Sequence, residues 1–143
     1  MSTPLVSVIM NCHNGEQFLR EAIDSIYEQT YQNWEIIFWD NASTDNSAAI
    51  AQSYDNRLRY YLSAGFTSLG MARELAVQKS NGEYVAFLDC DDFWHHSKLS
   101  MQMPLFFRHE DVGGFSISEQ MKNFLGHFLE SKGSNVRITK IDY

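Results

Sequence analysis

Three carboxylates, Asp89, Asp91 and Asp92, follow directly on an apolar run in the stretch EYVAFLDCDDFW. In an extended chain residues two apart point the same way, so Asp89 and Asp91 face one site while Cys90 turns aside. Two hard oxygen donors with room for water suit Mg2+ or Mn2+, which take one or two protein carboxylates and complete their shell with phosphate oxygens. The same acids can also cap a following helix or stand as solvated turn residues, and an isolated Asp-x-Asp is common by chance. What separates the readings is the element that presents them.

The elements are legible from periodicity. PLVSVIMN is a β-rich apolar run interrupted only by Ser7 and closed by the turn signal NCHNG, which predicts a buried first strand. EQFLREAIDSIYEQT follows, with Phe18, Ala22 and Ile26 spaced by four and Leu19 and Ile23 beside them, an amphipathic helix. WEIIFWD predicts a second buried strand in which Phe38 and Trp39 are core. NASTDNSAAIAQSY predicts a capped helix with the stripe Ile50, Ala51, Tyr54, and there Asp45 reads as a helix-end residue rather than a catalyst. RLRYYLS, MARELAVQKS and YVAFLDC add strand, helix and strand. Beyond Asp92, a helix from Ser97 should be broken or kinked at Pro104, residues 116–131 read as a capped amphipathic helix, and NVRITKIDY as a last strand.

Alternating strands and helices with nearly continuous apolar strands predict an α/β fold, a mostly parallel sheet with helices on both faces. Ligands of such sheets sit outside the carboxyl ends of the strands. NCHN, DNASTD and DCDD stand at three of those ends, and this placement favours the metal reading of Asp89 and Asp91.

Composition narrows the partners. The 143 residues carry a net charge of −7, against a nucleic-acid face, which needs cations to neutralise phosphates. All the excess acid lies in residues 1–107, with 13 acids and 6 bases; residues 108–143 hold 5 of each. Uncompensated acid meets a phosphorylated ligand through a divalent cation. Two cysteines, Cys12 and Cys90, make no disulfide framework, no His/Cys spacing resembles a zinc site, and no leader or membrane span is visible, so a cytoplasmic setting is expected. The adjacent His95 and His96 are discounted as ligands, since neighbours rarely reach one cation.

The stretches VSVIMNCHNGEQFLREAIDSIYEQTYQNWEIIFWDNASTDNS and LGMARELAVQKSNGEYVAFLDCDDFWHHSKL resemble the nucleotide-binding half of family 2 glycosyltransferases of GT-A fold, over roughly residues 4–107. The resemblance implies inverting transfer of a sugar from a nucleoside diphosphate donor, commonly a UDP-sugar, to a glycan or lipid-linked acceptor in cell-surface polysaccharide or glycolipid synthesis. By position, Asp89 and Asp91 match the Asp-x-Asp that engages the donor ribose and the diphosphate-bound metal. Asp40 and Asn41 match a pair that reads the base, with Asn in place of the second acid. Asn11 and His13 fall where the family lines the nucleotide pocket, often with Thr and Tyr, and Arg73 matches a basic residue near the phosphates. A turn histidine making local hydrogen bonds and a surface arginine paired to nearby acids are the alternatives for His13 and Arg73.

The family's general base is an acid in a later segment. The acidic pair Glu110–Asp111 falls on a loop and is not assigned, so no catalytic residue is located. The division expected is a donor-binding half, 1–107, and a short tail, 108–143, packed on the same domain. The tail helix at 116–131 either packs on the sheet or docks a partner chain or the inner face of a membrane. Two rivals stand beside transfer: a truncated or non-catalytic nucleotide-sugar-binding module lacking the base, and a nucleotidyltransferase, which would want a basic or glycine-rich phosphate loop that NCHNGEQF does not provide.

Overall fold

The computed structural model describes residues 3–108 and 137–138, and the statements below concern these residues. The elements run β1 (Val6–Cys12), α1 (Glu16–Tyr27), β2 (Trp34–Asp40), α2 (Ser47–Gln52), β3 (Leu58–Leu62), α3 (Leu69–Val77), β4 (Tyr84–Phe87), α4 (Lys98–Arg108) and β5 (Arg137–Ile138). Their sheet has the order β3-β2-β1-β4-β5, and all four pairings are parallel. The α/β architecture expected from the periodicity is the one found.

Strand alternation sorts the core into two layers. Val6, Val8, Met10 and Cys12 of β1 turn toward Leu19, Ala22, Ile23 and Ile26 of α1, joined by Ile36 and Phe38 of β2. Ile9, Ile37 and Val85 turn the other way onto Ala72, Ala76 and Val77 of α3. Each large aliphatic chain so buried contributes about 1.5–3 kcal/mol.

Ser7, the one polar residue inside the first run, closes the amino end of the sheet. Its hydroxyl donates to Glu35 Oε1 at 2.7 Å and accepts from the Gly82 amide at 2.8 Å. Glu35 also takes Arg59 Nη1 at 3.1 Å. A side chain at position 82 would approach Ser7 Oγ to 2.6 Å and the Leu5 carbonyl to 2.7 Å, so the turn before β4 needs glycine. With its amino end satisfied internally, the sheet leaves its carboxyl end for a ligand.

Two expectations change. Of the break or kink expected at Pro104, the break is not found: α4 runs through it to Arg108. A proline removes one backbone hydrogen bond, and Leu99 and Met103, both buried, hold the turns before it against the core. Phe18, expected in the α1 stripe, is 47% exposed and stands at the carboxyl rim instead. Arg137–Ile138 pairs with Tyr84 and Val85 of β4, within the segment expected as a last strand, while the helix expected at 116–131 lies outside the described residues.

Candidate functional site

At the carboxyl rim, β1 and β4 part around a cleft of about 400 Å³ lined by Asn11, His13, Asn14, Gly15, Gln17, Phe18, Asp89, Cys90 and Asp91. The strands pair in register as far as Ile9 and Phe87, and the Leu88 amide still donates to the Ile9 carbonyl at 3.1 Å. Beyond this the chains diverge. Asn14 turns β1 away with φ 52°, a left-handed conformation that asparagine tolerates. Its Oδ1 accepts from the Thr44 amide at 2.7 Å, fixing the turn against the loop after β2.

Asn11, His13, Asp89 and Asp91, four of the residues singled out from sequence, therefore share one cleft. Arg73 joins them through Asp89: its Nη2 lies 3.1 Å from Asp89 Oδ1, with the carboxylate half-exposed and the arginine side chain 18% exposed. The arginine is thus not a free surface group but the counter-ion of a cleft carboxylate. Asn11 Nδ2 is buried at the cleft without a hydrogen-bond partner. An orphaned buried donor costs free energy until something accepts from it, so its position favours an oxygen-bearing ligand.

Asp40 and Asn41 do not reach the cleft with their side chains. Asp40 is 0% exposed, accepting from the Ser43 amide at 2.8 Å and from the Tyr60 hydroxyl at 2.6 Å. Burial, followed by the Asp40 carboxylate, pushes the Tyr60 phenol above its ordinary pKa, so Tyr60 stays a donor. Asn41, 6% exposed, spends its amide on Thr67: Nδ2 donates to the Thr67 carbonyl at 2.8 Å, and Oδ1 accepts from the Thr67 amide at 3.0 Å. The Asn41 contribution to the rim is its backbone. His13 Nδ1 lies 2.8 Å from the Asn41 carbonyl, which only accepts, so Nδ1 carries a proton. Phe66 meets the His13 ring edge-on at 4.8 Å. Local hydrogen bonding and a place in the cleft, alternatives in the sequence, are both present at His13.

Asp45 ties the two helix starts. Its carboxylate accepts from the Ser47 amide at 2.9 Å and the Glu16 amide at 3.1 Å, while Glu16 Oε2 accepts from the Asn46 amide at 2.8 Å. Burial acts to raise its pKa, but the hydrogen bonds from Ser47 and Glu16 prevail and hold it below the ordinary carboxylate range. The loop carrying Asp91 and Asp92 is strapped to the end of α1. Gln29, 1% exposed, donates to the His95 carbonyl at 2.7 Å and accepts from the Leu99 amide at 3.0 Å, and the Thr30 amide donates to the His96 carbonyl at 2.9 Å.

The two cysteines meet beneath the Asp-x-Asp. Cys90 Sγ takes the Asn11 carbonyl at 2.8 Å, in the position a ladder amide would otherwise fill. The neighbouring Cys90 side chain draws the buried Cys12 thiol down to about 7, and the same contact with burial pushes Cys90 up. Gly15 is needed over this pair: a Cβ there would lie 2.9 Å from Cys12 Sγ and 3.2 Å from Cys90 Cβ. The sequence offered no signal for the thiol contact, for Phe66 or for the roles of Ser43, Tyr60 and Thr67, because each depends on strand order.

The donor set at the cleft is compatible with a hard divalent cation. Asp89 and Asp91 offer exposed carboxylates, and no cluster of three or more His, Cys, Asp or Glu suited to a metal occurs among the described residues. Magnesium and manganese, which take few protein ligands and keep positions for phosphate and water, match two carboxylates better than zinc does.

Comparison with known proteins bears on the fold and on the family. The family profile described as Glycosyl transferase family 2 matches residues 7–142. A Bacillus subtilis (strain 168) glycosyltransferase named for teichuronic acid biosynthesis is 31% identical over 137 residues, covering 92% of this chain and 54% of the relative. An Escherichia coli UDP-Glc:alpha-D-GlcNAc-diphosphoundecaprenol beta-1,3-glucosyltransferase is 35% identical over 106 residues, 73% of this chain and 42% of the relative. The chain spans about half the length of the curated relatives it matches. Among solved structures, S. aureus TarS 1-349 in complex with UDP-GlcNAc superposes with a TM-score of 0.70 at 26% identity, over 73% of this chain and 32% of that one. A mannosyltransferase from Pyrobaculum calidifontis in complex with GDP-Man and Mn2+ gives 0.60 at 28% identity, over 65% and 29%.

Proposed function

Because this chain belongs to glycosyl transferase family 2, we propose that it moves a sugar, with inversion, from a nucleoside diphosphate donor to an acceptor hydroxyl in cell-surface polysaccharide or glycolipid synthesis. The observation that carries the reading is the convergence of Asn11, His13, Asp89 and Asp91 on one cleft, with Arg73 paired to Asp89. UDP is the favoured nucleotide, supported by the UDP-sugar in a relative's name and in the TarS complex; the GDP-Man complex makes GDP the comparison to run.

In this reading Asp89 and Asp91 hold Mn2+ or Mg2+, and the cation when bound supplies charge to stabilise the departing diphosphate. Asn11 Nδ2 donates to a donor oxygen, which satisfies the orphaned amide. The His13 ring, fixed by the Asn41 carbonyl and backed by Phe66, flanks the base. Asp40 and Asn41 act from beneath, the first by holding the loop after β2 and the second by orienting His13. Arg73 turns from Asp89 toward a phosphate as the charge there is partitioned anew.

Transfer itself forms a bond from the acceptor oxygen to the anomeric carbon as the bond to the diphosphate breaks, with a base taking the acceptor proton. That base is unassigned: Glu110 and Asp111 lie outside the described residues. A lipid-linked glycan acceptor is supported by the diphosphoundecaprenol substrate in one relative's name, and it would place the protein at the inner face of the membrane. No helix among the described residues is long and apolar enough to cross a membrane.

Calorimetric titration with UDP, with manganese and then with chelator, and with GDP alongside, tests the reading. Manganese-dependent UDP binding is expected. Absence of binding under both conditions would overturn the donor assignment, and binding without transfer to any acceptor would make the chain a donor-binding module.

A further inference from the structure

Cys12 and Cys90 are the only cysteines in the chain and lie 78 positions apart, yet both side chains stand against Gly15. Cys12 closes β1, buried at 2% exposure; Cys90 is the middle residue of the Asp-x-Asp and lines the cleft. The Gly15 backbone crosses so close that a single added carbon would touch both side chains. Nothing in the proposed transfer uses a thiol. Cys90 therefore lines the cleft, the buried Cys12 stands behind it, and a carboxylate of the candidate cation site flanks Cys90 on either side.

We propose that Cys12 and Cys90 form an oxidation-sensitive thiol pair, closed to a disulfide by a hydroperoxide entering the cleft, and that closure weakens nucleotide binding at the rim. The second half rests on the nucleotide reading above; the first does not. The chemistry balances. One sulfur of the pair attacks the peroxide as its thiolate, the O–O bond breaks, and an alcohol, or water from hydrogen peroxide, leaves with the thiol proton, giving a sulfenic acid. The other sulfur then displaces the sulfenic oxygen, which leaves as water with that thiol's proton. Two electrons pass from the sulfurs to the peroxide, and a small thiol reverses the change by exchange.

Closure acts on the site because Cys90 Sγ must leave the Asn11 carbonyl, its present acceptor. A disulfide demands a torsion near a right angle about its S–S bond. The turn that reorients Cys90 reorients Asp89 and Asp91 with it, and it returns the Asn11 carbonyl to the cleft without a donor.

The test treats the whole protein with hydrogen peroxide and follows three quantities. Free thiols should fall from two to none per chain in a monomeric product lighter by two hydrogen atoms. Manganese-dependent UDP affinity of that product should fall by roughly tenfold or more, with recovery on dithiothreitol, and UDP with manganese should slow the oxidation. Cys12→Ala should lose the disulfide; if it does not fold, wild type compared oxidised and reduced carries the same test. Sulfinic acid, intermolecular dimers or unchanged thiols would overturn the pair. A disulfide that leaves UDP affinity unchanged would overturn its control of the site. If reduced protein binds no UDP, the nucleotide reading fails together with the control that rests on it, while the thiol count still decides the pair.

Discussion

Asp89 and Asp91 share a cleft but not an environment, since Asp89 is held by Arg73. Asp91 is exposed, so Asp91→Ala should abolish manganese-dependent UDP binding in a titration while changing unfolding stability by no more than about 0.5 kcal/mol. Asp40 makes the opposite case. Its carboxylate is wholly buried and needs its donors, so Tyr60→Phe should destabilise the protein by about 1–3 kcal/mol in denaturant titration, as a buried charge-assisted hydrogen bond is lost. Asp45 adds a pH dependence. Its folded pKa is depressed, so its contribution is present above the unfolded value of about 3.9 and is lost as pH falls through the lower folded value. Asp45→Asn should flatten that part of the acid-unfolding curve; an unaltered curve would mean the Glu16 and Ser47 amides do not depend on the charge.

Among the elements, the loop after the Asp-x-Asp is the one held from a distance. Gln29 at the end of α1 satisfies the His95 carbonyl and the Leu99 amide together. Gln29→Ala should cost about 2–3 kcal/mol, for two buried groups left unpaired, and should increase amide exchange in residues 93–99; exchange confined to α1 would contradict the strap. Strands and helices were legible because short continuous apolar runs and an apolar period of nearly four survive in the sequence. So were the rim clusters, because a parallel sheet gathers its carboxyl ends. Gln29 was not, since a buried glutamine between Glu28 and Thr30 carries no pattern. The exposure of Phe18 was also hidden: its spacing fits the α1 stripe, and only the divergence of β1 and β4 opens a space beside it. Asp40 and Asn41 stood at the right strand end, but which way each side chain turned depended on Tyr60 and Thr67, residues 20 and 26 positions on.

At the scale of the whole molecule, ligand and fold are linked. UDP and manganese together, at about a hundred times the dissociation constant, should add about 2.7 kcal/mol and raise the melting temperature by several degrees, with either alone doing little; equal shifts with and without metal would argue against a cation-bridged donor. The position of β1 in the sheet has a kinetic consequence. Val6 pairs with Trp34, 28 positions on, and also with Tyr84, 78 positions on. The first pairing closes a modest loop, whereas the second must wait for most of the chain to be collected, at a larger entropic cost. Because the cleft exists only where β1 meets β4, competence to bind should be among the last properties regained during refolding, appearing after helix and most of the sheet have formed. A fluorescent nucleotide would then time the completion of this fold.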